Sequence, residues 1–277
     1  MLYRGIKMIF ILCCLGSMVA CSIGEAKTPE EWFEFTWSGL AGRDALSFQG
    51  NASLVRQDKP LMEENISYYG QLKNHHELEM VTILPRLNEV GTWKTAGNKQ
   101  TNDEIQSKLL WKGGAWTISA NQGEVLSKGM TRLNPLDQLE TIRKMNKKIT
   151  TESGAARGTK VLRIELDPSE AKEMIKEKLT AEMQVLRNDY ENKIAKMEPE
   201  LRNKVEPEIN NLWTSGNEQL AKILKQTDAK VIYHLTIGRR NGLPQRLTSE
   251  SELIYLSPAG LQQREVLLTD NRFSSYQ

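Results

Sequence analysis

The chain has 277 residues, with 37 Lys or Arg against 35 Asp or Glu, and three cysteines, none beyond position 21. No disulfide can form within the remainder, so the fold must rest on a hydrophobic core, which a chain of this length can bury. The near-balance of charge argues against a nucleic-acid binder, which would carry a basic excess or patch; only Arg239, Arg240 and Arg246 gather near one turn.

The first predicted element is residues 1–20. Met1 to Lys7 carries Arg4 and Lys7 and no acid, Met8 to Leu15 is apolar, and Gly16 to Ala20 is small or apolar. Charged, apolar and small segments in that order predict a secretory signal. The apolar run falls well short of the roughly 20 residues that a membrane-spanning helix needs. Met18-Val19-Ala20-Cys21 resembles the lipobox of bacterial lipoproteins. The resemblance implies that Cys21 receives a diacylglycerol and, after cleavage, becomes the N-terminus. An ordinary secretory signal with an incidental cysteine is the alternative. Loss of residues 1–20 removes Arg4 and Lys7 and takes the formal net charge from +2 to zero. A membrane anchor would then depend on acyl chains, each buried CH₂ adding about 0.8 kcal/mol. The expected location is the extracytoplasmic face of the cell membrane, with residues 21–27 as a tether and residues 28–277 as one domain.

Thr28, Pro29 and Glu31 form a helix-start signal: a capping hydroxyl, a proline at the first helical position and a capping-box acid. The helix is expected to reach about Leu40, to carry Trp32, Phe33, Phe35 and Trp37, and to end at Gly39 and Gly42. From Leu46 the period becomes two. Phe48, Gly50, Ala52 and Leu54 alternate with polar residues, Ile66, Tyr68 and Leu72 share a parity, and so do Leu78 and Met80. A turn is expected at Lys73-Asn74-His75-His76. Leu109 and Trp111 before Gly113-Gly114, with Trp116 and Ile118 after, predict a tight hairpin. This half reads as an antiparallel meander.

Leu133 to Ile149 returns to helical spacing, with Leu136, Leu139, Ile142 and Met145 on one side; Gly154 to Gly158 is a loop, and Val161 to Leu166 is a strand. A long helical excursion, 168–225, carries an apolar stripe from Ile175 through Leu186, Ile194 and Leu201 to Leu212. Pro199 and Pro207 are expected to kink or divide it, and Ser215-Gly216-Asn217 to end it before a last short helix. The pairs Asp189–Lys193, Glu198–Arg202 and Glu200–Lys204 support the wet side. The stripe either docks a coiled-coil partner or packs on the protein's own sheet, the second being the expectation. Val231, Tyr233, Leu235 and Ile237 then alternate, Asn241-Gly242 makes a hairpin turn, Leu247 to Leu256 pairs back, and Val266 to Tyr276 closes the sheet.

The fold class is therefore α+β, a large antiparallel sheet packed on helices. With the lipobox, this order of elements and the last hairpins (HLTIGRRNGLPQRLTSESELIYL) resemble the LolA/LppX-like lipoproteins. That resemblance implies a curved, half-barrel sheet wrapped around helices, with acyl chains or lipids carried between the two. No pocket residue transfers from it, so the ligand-binding residues stay unknown at this stage, and Cys21 is the one site residue that does transfer.

No G-x-S-x-G, H-E-x-x-H or G-x-x-x-x-G-K motif occurs. His75 and His76 are adjacent, a poor chelate on a strand, and His234 stands alone, so no metal site, catalytic residue or cofactor is expected. Asp103-Glu104 lies in a polar loop. Trp32, Trp37, Trp111 and Trp116 either line an apolar cavity or fill the core, core packing being the expectation. The first functional reading is non-covalent binding of an amphiphilic or apolar ligand by a membrane-anchored, non-enzymatic lipoprotein. The alternative is an envelope protein–protein interaction or structural role through the long helices. A hydrolase with an unrecognised site is a third.

Overall fold

The computed structural model describes residues 27–57, 59–60, 65–84, 104–119 and 129–277. Residues 1–20, predicted as a secretory signal, Cys21 and Asp103 lie outside these residues. Helix α1 is Pro29–Ala41. Its start follows the capping box: Thr28 Oγ1 accepts from the Glu31 N–H at 3.1 Å, and the Thr28 N–H donates to Glu31 Oε2 at 2.7 Å. Gly42 caps its end, but Gly39 does not terminate it. Gly39 is instead where the helix touches a hairpin turn, since a Cβ there would lie 2.5 Å from the Asn241 carbonyl oxygen.

Strands β1 (Leu46–Arg56), β2 (Lys59–Pro60), β3 (Ile66–Lys73), β4 (Glu77–Ile83), β5 (Glu104–Lys112) and β6 (Ala115–Ile118) follow. A 3₁₀ turn at Thr131–Leu133 leads into α2, Pro135–Lys144. The helix predicted to reach Ile149 stops here. Met145 is extended, and Lys147–Glu152 is strand β7, unforeseen in the sequence. Its Ile-Thr-Thr run favours a strand because β-branched side chains are stiff at χ1. After the loop come β8 (Thr159–Leu166), α3 (Pro168–Ala195), α4 (Pro199–Lys225), β9 (Asp228–Gly238), β10 (Pro244–Leu256) and β11 (Gln262–Ser274).

All strands belong to one antiparallel sheet in the order β6-β5-β4-β3-β1-β11-β10-β9-β8-β7, with β2 on β1. The sheet is open and curled, and the helices pack on it, as the resemblance implies. β11 does not close it at an edge. It pairs with β10 on one side and β1 on the other, so it joins the two halves from the centre. One face forms the core. Leu46, Leu72, Leu78 and Leu109 stand directly opposite one another across four strands. Leu162, Ile164, Val231, Leu235 and Leu247 continue it, covered by Phe33, Leu139, Ile142 and Ala171 from the helices.

Gly50 and Gly70 leave room for aromatic rings on the neighbouring strand: a Cβ would meet the Tyr68 ring at 2.6 Å and the Phe48 ring at 2.5 Å. The Tyr68 hydroxyl donates to Asn271 Oδ1 at 2.8 Å, and Asn271 Nδ2 donates to the Leu247 carbonyl at 3.2 Å, so these two buried side chains are paired.

The helical excursion is a hairpin. Pro199 divides it by starting α4, where its missing N–H is not needed. Pro207 lies inside α4, and Ser215-Gly216-Asn217 is helical rather than a stop. Only the first turns of the apolar stripe reach the sheet-side core, through Ala171, Met174 and Ile175. α3 and α4 also meet each other: at the base Lys172 Nζ donates to the Lys225 carbonyl at 2.9 Å, and farther out Arg187 lies 5.6 Å over the Trp213 ring. Asp189–Lys193 forms as expected at 2.7 Å, while Arg202 donates to the Ala195 and Met197 carbonyls at 2.5 and 3.2 Å. Tyr190, Leu201 and Leu212 stay exposed, at 40%, 51% and 73%.

Candidate functional site

A cavity of about 480 Å³ opens where α1, α2 and the β5–β6 hairpin meet the core face of the sheet. Its floor is Leu46 and Leu72, directly opposite each other on β1 and β3. One wall is α1, which contributes Glu34, Trp37, Ser38, Leu40 and Ala41. Trp37, Leu40 and Ala41 are spaced i, i+3, i+4 and so share a face. A second wall is α2, where Leu136, Leu139, Glu140 and Arg143 form the same kind of stripe.

The third wall is aromatic. Trp111 and Trp116 are paired across the hairpin, with ring centroids 5.3 Å apart. Gly113 and Gly114 both have positive φ, 59° and 83°, the geometry of a tight primed turn that side-chain-bearing residues adopt with strain. Lys144, at the end of α2, donates to the Gly114 carbonyl at 2.7 Å and sits 5.9 Å over the Trp111 ring. Arg143 sits 4.9 Å over the Trp37 ring. The last turn of α2 thus clamps both aromatic walls with cations.

The rim is polar. His75 lines it from the β3–β4 turn, where its Nε2 lies 2.5 Å from Asp44 Oδ1. Arg43 and Glu34 complete it. Burial holds the Glu140 carboxyl above the usual carboxylate range, against the opposite pull of Lys144 and Arg143. The Trp37 indole N–H is buried and finds no acceptor among the described residues. Chemically, this is an apolar, aromatic pocket with a charged mouth, suited to non-covalent binding.

The four tryptophans therefore split. Trp37, Trp111 and Trp116 line the cavity, and Trp32 belongs to the core at 7% exposure. The hairpin pattern already placed Trp111 and Trp116 on one face; nothing in the sequence brought Trp37, Leu139 or Glu140 to them. His76 stays in its turn, and His234 pairs with Glu152 Oε1 at 2.9 Å away from the cavity. Burial drives the Tyr68 and Tyr233 hydroxyls far above their ordinary range, so both stay neutral in the core. Among the described residues no three His, Cys, Asp or Glu converge on a metal position.

No protein-family model matches the chain, and no curated protein matches it in sequence. Among solved structures it is similar to a lipovitellin described for its lipid–protein interactions, at 8% identity and a TM-score of 0.38 over 84% of this chain. It spans 25% of that lipovitellin chain. It is also similar to a LolA superfamily protein from Nitrosomonas europaea, at 8% identity and a TM-score of 0.24, covering 91% of this chain and 94% of that one. At these TM-scores neither likeness carries an argument about activity, which rests on the cavity itself.

Proposed function

We propose that this protein binds an amphiphilic or apolar ligand non-covalently in the cavity between α1, α2 and the β5–β6 hairpin. The observation that carries the reading is the pairing of a leucine floor and three indole rings with a charged rim. An apolar body would bury against Trp37, Trp111, Trp116 and Leu139, while a polar head would remain near Arg43, His75 and Arg143. An acceptor on the ligand would satisfy the Trp37 indole N–H. Native mass spectrometry of the folded body from Ser22 onward tests this. The expected result is co-purified lipid, with occupancy falling severalfold in Trp116→Ala; a ligand-free mass under gentle desolvation opposes the reading.

The same proposal places the protein on the extracytoplasmic face of the cell membrane through acylated Cys21. Among the described residues no helix is long and apolar enough to cross a membrane. Cys21→Ser is expected to move the chain from the membrane fraction to the soluble fraction and to abolish incorporation of labelled palmitate. A second reading, an envelope interaction protein, is favoured by one observation: Tyr190, Leu201 and Leu212 are left uncovered on the helical hairpin.

A further inference from the structure

The strands that turn leucines toward the cavity turn a different set of side chains to the opposite face, because successive strand residues alternate sides. On β1 and β3 this set is rich in amides and hydroxyls, and β5 adds Gln106 between the charged Glu104 and Lys108. Gln49 stands opposite Tyr69, Tyr69 opposite Val81, and Val81 opposite Gln106, a row across four strands. Gln71 stands opposite Ser47, and Asn51 opposite Ser67. This face holds two hollows, of about 660 and 520 Å³, which share Gln49 and Tyr69. Together they form one trough from β5 to β11. Five strands at about 4.8 Å spacing make it roughly 19 Å long.

Tyr69 stands at its centre, 48% exposed, in a protein that otherwise tucks most of its aromatic rings away. The amides of Gln49, Gln71 and Gln106 bond to no other described residue. Lys73 and Lys108 both reach Glu79, at 2.8 and 3.5 Å, Arg246 holds Asp270 with two bonds of 2.8 Å, and Arg272 lines the β11 end beside Asp270.

We infer that this trough is a binding site for a neutral oligosaccharide. Each side-chain amide offers two donors and an acceptor, a set that pairs with sugar hydroxyls in either direction. An exposed tyrosine ring offers a flat apolar surface for the C–H face of a pyranose, with a hydroxyl at its tip. Apolar ligands would find little to bury here, since among the described residues Val81 and Ile83 are the outward-facing aliphatic side chains that line the hollows. A polyanion would find a single arginine, Arg272, at one end rather than a cationic row. The inference is independent of the cavity, which lies on the other face of the sheet.

Saturation-transfer NMR on the full chain tests it, with the neutral β-linked hexasaccharides of glucose and of N-acetylglucosamine as probes. At least one hexasaccharide is expected to show transfer. Tyr69→Ala should weaken binding about tenfold, the scale of one lost aromatic contact, while Tyr69→Phe retains it. Gln106→Ala, a surface change at the far end of the trough, should weaken it less. Binding should survive a rise from about 0.05 to 0.5 M salt, which screens exposed charges. The proposal is overturned if neither hexasaccharide shows transfer, if Tyr69→Ala binds as the parent does, or if salt abolishes binding. Capture of an unstructured apolar peptide at Tyr69 with no sugar bound also overturns it.

Discussion

Gly39 and Gly216 both sit inside helices, yet a methyl group has opposite consequences at each. In an exposed helix interior, Gly→Ala stabilises by about 0.8–1 kcal/mol, because glycine has more conformational freedom to lose. Gly216 has nothing within 4 Å of where its Cβ would stand, so Gly216→Ala should follow that rule. At Gly39 the Cβ would press on the backbone of Asn241 at 2.5 Å, and a backbone neighbour cannot swing away. Gly39→Ala should therefore cost about 1–3 kcal/mol, as overpacking does. Urea denaturation midpoints of the two variants check both signs. Asp270 supplies a pH test. The Arg246 guanidinium hydrogen-bonded to it holds its carboxyl below the usual range. Its contribution is present above the ordinary carboxylate pKa and is lost as pH falls through the lowered folded value. Both side chains are more than a third exposed, so Asp270→Asn should cost no more than about 1 kcal/mol at neutral pH. The deficit should vanish in acid, and unfolding curves at neutral and acid pH decide it.

At the scale of elements, the helical hairpin is held at its base and left largely exposed beyond it. Its base is fixed by Ala171 and Met174 in the core and by ion pairs from Arg132 to Glu182 and from Lys178 to Asp137. Its outer half has Ile194 buried, but Leu201 and Tyr190 exposed. Amides of residues 186–215 should therefore exchange with solvent by local opening, orders of magnitude faster than those of β9 and β11, which should wait for global unfolding. Hydrogen-exchange mass spectrometry reads this directly; equal protection of the outer hairpin and β9 would contradict it. The same element shows where sequence reasoning stopped. Pro199 was legible because a proline at a helix start is chemically distinctive. Ser215-Gly216-Asn217 looked like a stop. It stays helical because the turns beyond it carry Leu220 and Leu224 back against α3, and Leu224 is buried. Burial of that kind outweighs about 1 kcal/mol of glycine propensity. β7 was missed for a related reason: Met145 and Ile149 extend the spacing of α2, and six residues are too few to establish a period of two.

For the molecule as a whole, local chemistry and long-range pairing divide the account. The sequence by itself determined most of the strands, the hairpin turns and the first helix start: the capping box at Thr28, the alternation from Leu46, and the Gly113-Gly114 and Asn241-Gly242 turns. Each depends on residues within a few positions, where backbone sterics and side-chain periodicity act directly. The α+β class followed from their order. Tertiary structure alone decided that β11 would join β1, bringing Phe48 opposite Phe273, and so place the chain's last strand at the centre of the sheet. It alone also brought Trp37, Leu139 and Trp116 around one cavity, and set Gln49, Tyr69 and Gln106 in one row on the other face. The physical reason is that contacts between distant segments depend on which apolar faces find one another when the sheet curls, and a single chain's local pattern is compatible with many such pairings.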